Sequence, residues 1–151
     1  MQTFGSADEV LDFAIEREKE AAAFYTDLAG RMRNPEMQKV FAGFAREEEG
    51  HRAKLQQVKE GKRMVKTAAK VQDLKIADYI VETEPKPDME YRDALVLAMQ
   101  KEKAAFKLYT ALAGSSNDDA LKTLFLSLAQ EEAKHKLRFE LEYDDNVLTW
   151  N

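Results

Sequence analysis

Apolar residues recur at alternating spacings of three and four along four long stretches of the chain, which is the signature of one buried face on an α-helix. The first face reads Leu11, Ala14, Glu18, Ala21, Tyr25, Leu28, and the second Met37, Phe41, Phe44, Glu48, His51, Leu55, Val58. The third reads Leu95, Ala98, Glu102, Ala105, Tyr109, Leu112, and the fourth Leu121, Phe125, Leu128, Glu132, His135, Phe139, Glu142. Punctuation agrees with four helices. Ser6-x-x-Glu9 has the form of a capping box and Gly30 can close the first helix. Asn34-Pro35 offers an N-cap with proline in the first turn, opening a second helix that Gly61 can end. A third helix is expected from near Asp88, after Pro85 and Pro87, to Gly114; a fourth starts around Ser116 or Asn117 and fades near Tyr143.

Short loops make helical hairpins of residues 6–61 and 88–143. The segment 62–87 between them is too long for a turn. At about 3.3 Å per extended residue it can travel the length of a helix, so the second and third helices should run parallel. The expected fold is all-α: a four-helix bundle made of two repeated hairpins joined by one long crossover. Val71–Val81 is apolar enough for a short helix packed on the bundle, although it lacks a clean period. Trp150, in the C-terminal tail, is expected to anchor packing on the bundle or on another subunit.

Composition narrows the function. With 151 residues and 44% apolar content the chain can build one sizeable core, so residues 1–151 are expected to form a single domain. A net charge of −5 offers no basic footprint for nucleic acid. The longest apolar run, Ala94–Met99, is far short of the roughly 18–20 residues that cross a bilayer, and the N-terminus shows no secretory pattern, so the expected compartment is the cytoplasm. Cysteine is absent, which removes disulfides, thiolate metal sites and thiol nucleophiles. Any metal must be held by oxygen and imidazole.

Shifting the chain on itself by 84 residues aligns the two hairpins without a gap, with 15 identities in 45 positions between 11–55 and 95–139. The first and third helical faces agree at all six positions. A duplicated bundle accounts for matching apolar faces. It does not account for the polar residues on them, because each uncompensated buried charge costs several kcal/mol, of order ~3–5. Glu48/His51 and Glu132/His135 are Glu-x-x-His pairs, each projecting to one side of its helix, and they use the only two histidines of the chain. Glu18 and Glu102 sit mid-face on the partner helices. One Glu from each of two helices plus Glu-x-x-His from each of the other two is the pattern that holds two metals in a bundle. Four carboxylates balance two divalent cations, and oxygen-rich ligation with one nitrogen per metal suits iron or manganese, with zinc able to enter adventitiously.

Tyr25 and Tyr109 stand one heptad after Glu18 and Glu102, and helical side chains lean toward the N-terminus, so both hydroxyls should tilt toward the acidic layer and meet a carboxylate on the opposite antiparallel helix. Glu47 and Glu131 point about 100° away from the clamp residues and suit either a supporting role beside the ligands or helix packing. Glu16, Glu20 and Glu49 lie off the stripes and should be solvated.

These motifs resemble the ferritin-like diiron carboxylate superfamily, and more closely its rubrerythrin-related branch. The resemblance rests on Glu18-Lys-Glu-Ala-Ala-Ala-Phe-Tyr25 with Glu47-Glu48-Glu-Gly-His51, and on Glu102-Lys-Ala-Ala-Phe-Lys-Leu-Tyr109 with Glu131-Glu132-Ala-Lys-His135. It implies that Glu48 and Glu132 bridge two iron ions, that Glu18 and His51 complete one coordination sphere and Glu102 and His135 the other, and that Tyr25 and Tyr109 support the ligands. Rubrerythrins proper carry a rubredoxin domain with four cysteines, which this sequence lacks. They also carry an extra Glu three residues after the third-helix ligand, where Ala105 stands here. The ligand set is equally close to bacterioferritin ferroxidase centres and not far from manganese catalases. The expected function is a diiron oxidoreductase acting against oxidative stress, reducing hydrogen peroxide or activating dioxygen, with an external donor such as a rubredoxin or a flavoprotein reductase. Ferroxidase or iron-storage activity, and a metal-stabilised structural bundle, are the alternatives. Assembly as a homodimer or higher homo-oligomer is expected, and the long crossover permits hairpin exchange between chains.

Overall fold

The computed structural model describes residues 2–4, 6–61, 71–74, 85–87 and 89–146. Four helices dominate: α1 (Ala7–Arg31), α2 (Pro35–Gly61), α3 (Tyr91–Ser115) and α4 (Asp119–Asn146). Two short strands, β1 (Gln2–Phe4) and β2 (Val71–Leu74), pair antiparallel, with Gln2 opposite Leu74 and Phe4 opposite Val71 across a register shift. No helix among the described residues is long and apolar enough to cross a membrane.

Helix starts follow local hydrogen bonding. Ser6 accepts from the Glu9 amide at 3.2 Å, capping α1. Asn34 Oδ1 takes the Glu36 amide at 2.8 Å ahead of α2. The fourth helix is capped by Asp118, whose Oδ1 accepts from the amides of Ala120 and Leu121 at 2.8 and 3.1 Å, so it begins later than Ser116 or Asn117. Asp118 is the repeat counterpart of Asn34, and the offset of 84 points to it. The third helix likewise starts at Tyr91, not near Asp88, behind Glu90, which makes no side-chain cap. At the other ends α1 runs through Gly30 to Arg31 and α3 through Gly114 to Ser115, so these glycines are helical, not left-handed caps.

The expected helix over Val71–Val81 is corrected at its start, where Val71–Leu74 is a strand; the rest of that segment, like Trp150, lies outside the described residues. A β-branched residue opens the segment and no helical period organises it. The extended residues before α1 supply a partner for its backbone groups. The ribbon lies beside α1 and α3.

α1 packs along α2 and α3 along α4, whereas Cα atoms of different hairpins mostly stay more than 8 Å apart. That spacing leaves an interior wide enough for long side chains. One apolar cluster joins Val10, Leu11 and Ala14 of α1, Leu55 of α2, Leu112 of α3 and Phe125 of α4. The other joins Leu28 of α1, Phe41 and Phe44 of α2, Leu95 of α3 and Phe139 of α4. The first therefore gathers the beginnings of α1 and α4 with the ends of α2 and α3, which makes α2 and α3 parallel, as a long crossover requires. Between the clusters lies a polar layer.

Gly30 and Gly114 are exposed, and a Cβ added at either meets nothing within 4 Å. Gly30→Ala and Gly114→Ala should each stabilise the fold by about 0.5–1 kcal/mol through reduced unfolded-state entropy, read as higher midpoints in urea titrations. A fall in either midpoint would contradict the helical placement of that glycine.

Candidate metal centre

The polar layer is built from the middle of all four helices. Glu18 of α1, Glu48 of α2, Glu102 of α3, and Glu132 and His135 of α4 are each at most 2% exposed; the side chain of His51 on α2 is 14% exposed. Each Glu-x-x-His pair spans one helical turn, so its two side chains leave the helix on the same side. The structure thus brings together the six residues that the sequence pattern singles out. Glu16, Glu20 and Glu49 are exposed, the last two pairing with Arg17 and Arg52.

Both imidazoles aim Nδ1 inward. His51 Nδ1 lies 3.4, 3.3 and 3.3 Å from Glu18 Oε2, Glu48 Oε1 and Glu132 Oε1. His135 Nδ1 lies 3.2, 3.6 and 3.7 Å from Glu48, Glu102 and Glu132 Oε1. The rings are parallel within 8° at 5.6 Å. Two overlapping groups of four result, Glu18/Glu48/His51/Glu132 and Glu48/Glu102/Glu132/His135, and Glu48 also joins the two histidines in a group of three, the ligand-type atoms within each lying inside 4.8 Å of one another. Glu48 and Glu132 belong to both.

Glu18 Oε2, Glu48 Oε1, His51 Nδ1, Glu102 Oε2, Glu132 Oε1 and His135 Nδ1 are buried without a hydrogen-bond partner. One orphaned lone-pair atom from each of six residues, all in one layer, is what a site for cations presents once its protons leave, since buried polar groups are otherwise satisfied. The donor set of four carboxylates and two imidazoles fits two divalent iron or manganese ions.

Tyrosines fix the outer carboxylate oxygens. Tyr25 of α1 donates to Glu102 Oε1 of α3 at 2.5 Å, and Tyr109 of α3 donates to Glu18 Oε1 of α1 at 2.6 Å. Burial and the neighbouring carboxylates push both phenols well above their ordinary range, so they stay protonated donors. On the opposite side Glu47, for which the sequence left two roles open, lies 3.3 Å from His135 Nε2. It also accepts from Arg138 at 2.8 Å, and the Arg138 guanidinium sits 4.4 Å from the centre of the Phe44 ring. A carboxylate on the outer nitrogen fixes a histidine's orientation and leaves Nδ1 for ligation. Sequence reasoning missed Arg138; its position three residues after His135 was the available signal. The repeat is unequal here, because Glu131 pairs with Lys134 at 3.7 Å and Lys54 occupies the position equivalent to Arg138.

Without metal, protons balance the layer. Burial, then Glu48, raises Glu18 to about 7; burial with the acidic neighbours raises Glu102 and pushes Glu132 well up. Burial alone would raise Glu48 too, but His135 and His51 beside it hold it near 2. Burial depresses both histidines less than the carboxylates raise them, leaving each near 10.

The sequence model of the Rubrerythrin family matches residues 9–143, and the chain belongs to that family. Its all-α four-helix bundle is shared with a Thermotoga maritima protein provisionally described as a ferritin-like diiron-carboxylate protein, at 19% identity and a TM-score of 0.74 over 97% of this chain and 99% of the other. A hypothetical protein from Pyrococcus furiosus shares 23% identity at a TM-score of 0.66, over 95% and 91%. No curated protein matches the chain.

Glu18, Glu102, Glu132 and the histidines have folded values above their unfolded ones, so they stabilise the metal-free fold at low pH and lose that contribution as pH rises through the folded values. The opposite term, from Glu48, is lost only as pH falls from about 4.5 toward 2. The metal-free melting temperature should therefore drop between pH 5 and 9, while the rise on adding ferrous or manganous ion should grow, because ligation releases protons. Calorimetric scans with and without metal test this, and a flat metal-free profile would contradict it. Glu132→Gln should stabilise the metal-free protein at pH 7 by about 1–3 kcal/mol while lowering metal stoichiometry, checked by denaturant titration and elemental analysis.

Proposed function

We propose that this chain is a non-haem diiron oxidoreductase that reduces hydrogen peroxide, or activates dioxygen, at the layer formed by Glu18, Glu48, His51, Glu102, Glu132 and His135. The observation that carries the reading is the pair of overlapping four-residue groups sharing Glu48 and Glu132, each with its own histidine and its own outer glutamate. Two ferrous ions held there would supply two electrons together, so the O–O bond of hydrogen peroxide breaks with uptake of two protons to give two waters. An external donor, such as a rubredoxin or a flavoprotein reductase, would return the electrons.

The chain's own residues prepare this chemistry. Glu48 and Glu132 present oxygens to both halves of the layer. Tyr25 and Tyr109 hold Glu102 and Glu18 from across the bundle, so neither carboxylate is free to rotate away. Glu47, tethered by Arg138, holds the His135 ring. Phe44 packs edge-on against His135 at 5.0 Å and lies tilted against Phe139 at 4.0 Å, giving that side of the layer an apolar wall.

Anaerobic loading with ferrous iron should give about two irons per chain, with near-ultraviolet absorption appearing faster after peroxide than after air. Faster oxidation by air would favour ferroxidase or oxygenase chemistry, and absence of stoichiometric metal would reject the centre. Glu48→Ala should abolish peroxide reactivity; an unaltered rate would assign the bundle a structural role.

A further inference from the structure

Tyr91 opens α3 and Glu142 lies near the end of α4, and the Tyr91 hydroxyl donates to Glu142 Oε1 at 2.6 Å. In the first repeat the same positions hold Ala7 and Val58. Apolar side chains close the bundle at those positions, whereas the second hairpin carries a phenol and a carboxylate bonded to each other. Rings connect this pair to the acidic layer. Tyr91 meets Phe41 at 5.8 Å, and Phe41 meets at 6.4 Å the ring of Tyr25, whose hydroxyl holds Glu102. A second branch runs from Phe41 to Phe139 at 6.0 Å, on to Phe44 at 4.0 Å, and then to the His135 ring at 5.0 Å. All of these are contacts between neighbouring rings. Leu128, Leu55 and Ala7 stand where the repeat would place Phe44, Phe139 and Tyr91, so the same run of rings is not built at the other end of the bundle. Tyr91 also reaches the surface: it is 9% exposed and lines a cleft of about 380 Å³ between the α1–α2 loop and the start of α3, together with Met32, Met37 and Met89. Burial, then the bond to Glu142, pushes its phenol above the ordinary range, so the hydroxyl keeps its proton with an acceptor already in place.

We propose that Tyr91 is a redox-active residue, giving one electron to the layer through the ring chain while its proton passes to Glu142. The inference rests on the di-metal reading of the layer. Hydrogen peroxide takes up two electrons and two protons to become two waters, and a pair of ferrous ions supplies both electrons. A chain holding a single ferrous ion supplies only one. The second then comes from Tyr91: its O–H bond breaks, the electron passes inward across Phe41, and the proton moves to Glu142 Oε1. A ferric ion, a neutral tyrosyl radical and a protonated Glu142 are left, and the two protons of the waters come from solvent. A carboxylate oxygen at 2.6 Å is within the reach of direct proton transfer, about 2.6–3.2 Å. The unpaired electron ends beside the cleft, away from the ligands it would otherwise damage. There a small organic reductant of the phenol or enediol class returns one electron, and Glu142 returns the proton. The cleft volume falls within the roughly 300–1,000 Å³ that such ligands occupy.

The full-length protein, loaded anaerobically with one ferrous ion per chain and mixed with hydrogen peroxide, is freeze-quenched and read by electron paramagnetic resonance, with iron counted in every sample. The wild type should give a tyrosyl radical spectrum. Tyr91→Phe, which keeps the ring and removes the hydroxyl, should lose that spectrum at unchanged iron content and helical circular dichroism. Glu142→Gln should lower its yield with Tyr91 still in place. Peptide mass spectrometry after repeated exposure should find more oxidation of His135 and Phe139 in Tyr91→Phe than in the wild type. The wild-type spectrum persisting in Tyr91→Phe would overturn the inference, as would the absence of any radical from iron-loaded wild type; both results leave the di-metal reading standing. Loss of iron from Tyr91→Phe would overturn it too, by giving the residue a structural role. A wild-type chain that takes up no iron would overturn the reading beneath it.

Discussion

Four carboxylates and two imidazoles lie in one buried layer halfway along the bundle, and the rest of the molecule is arranged to make that layer tolerable. Stripped of counter-charge, such a cluster would cost more than a marginally stable domain of this size has to lose. Protons balance the layer in the metal-free chain, and under the proposed function the same six atoms would take divalent cations in their place. Folding and protonation are therefore one coupled equilibrium here, and metal uptake would join it.

The layer also governs packing. Because it separates two apolar clusters, the hairpins touch through side chains above and below it while their backbones stay apart. Tyr25 and Tyr109 cross that gap in opposite senses, each rooted in one apolar cluster and bonded to a carboxylate of the other hairpin. The charged layer is thus stitched to the core by the hydroxyls of two residues whose rings belong to the core.

Much of this was legible in the sequence because helices write their buried face as a period, and a Glu or His on such a face stands out. The repeat sharpened the signal, and the parallel run of α2 and α3 followed from the length of the crossover. Features that depend on distant partners were not legible. Val71–Leu74 becomes a strand only because Gln2–Phe4 lies beside it. Glu47 acquires its place from Arg138, 91 residues away. Asp118 was legible but passed over, since two other polar residues precede it.

The inequality between the hairpins at Glu47 and Glu131 bears on how such a chain evolves. A symmetric dimer of identical hairpins would assemble a comparable six-ligand layer, but every substitution would appear twice and the surroundings of both histidines would stay identical. Covalent duplication removes that restriction. Once the copies share one chain, Arg138 and Lys54 can differ, so the support behind His135 was free to diverge from that behind His51 while the six inward-facing residues kept their common pattern.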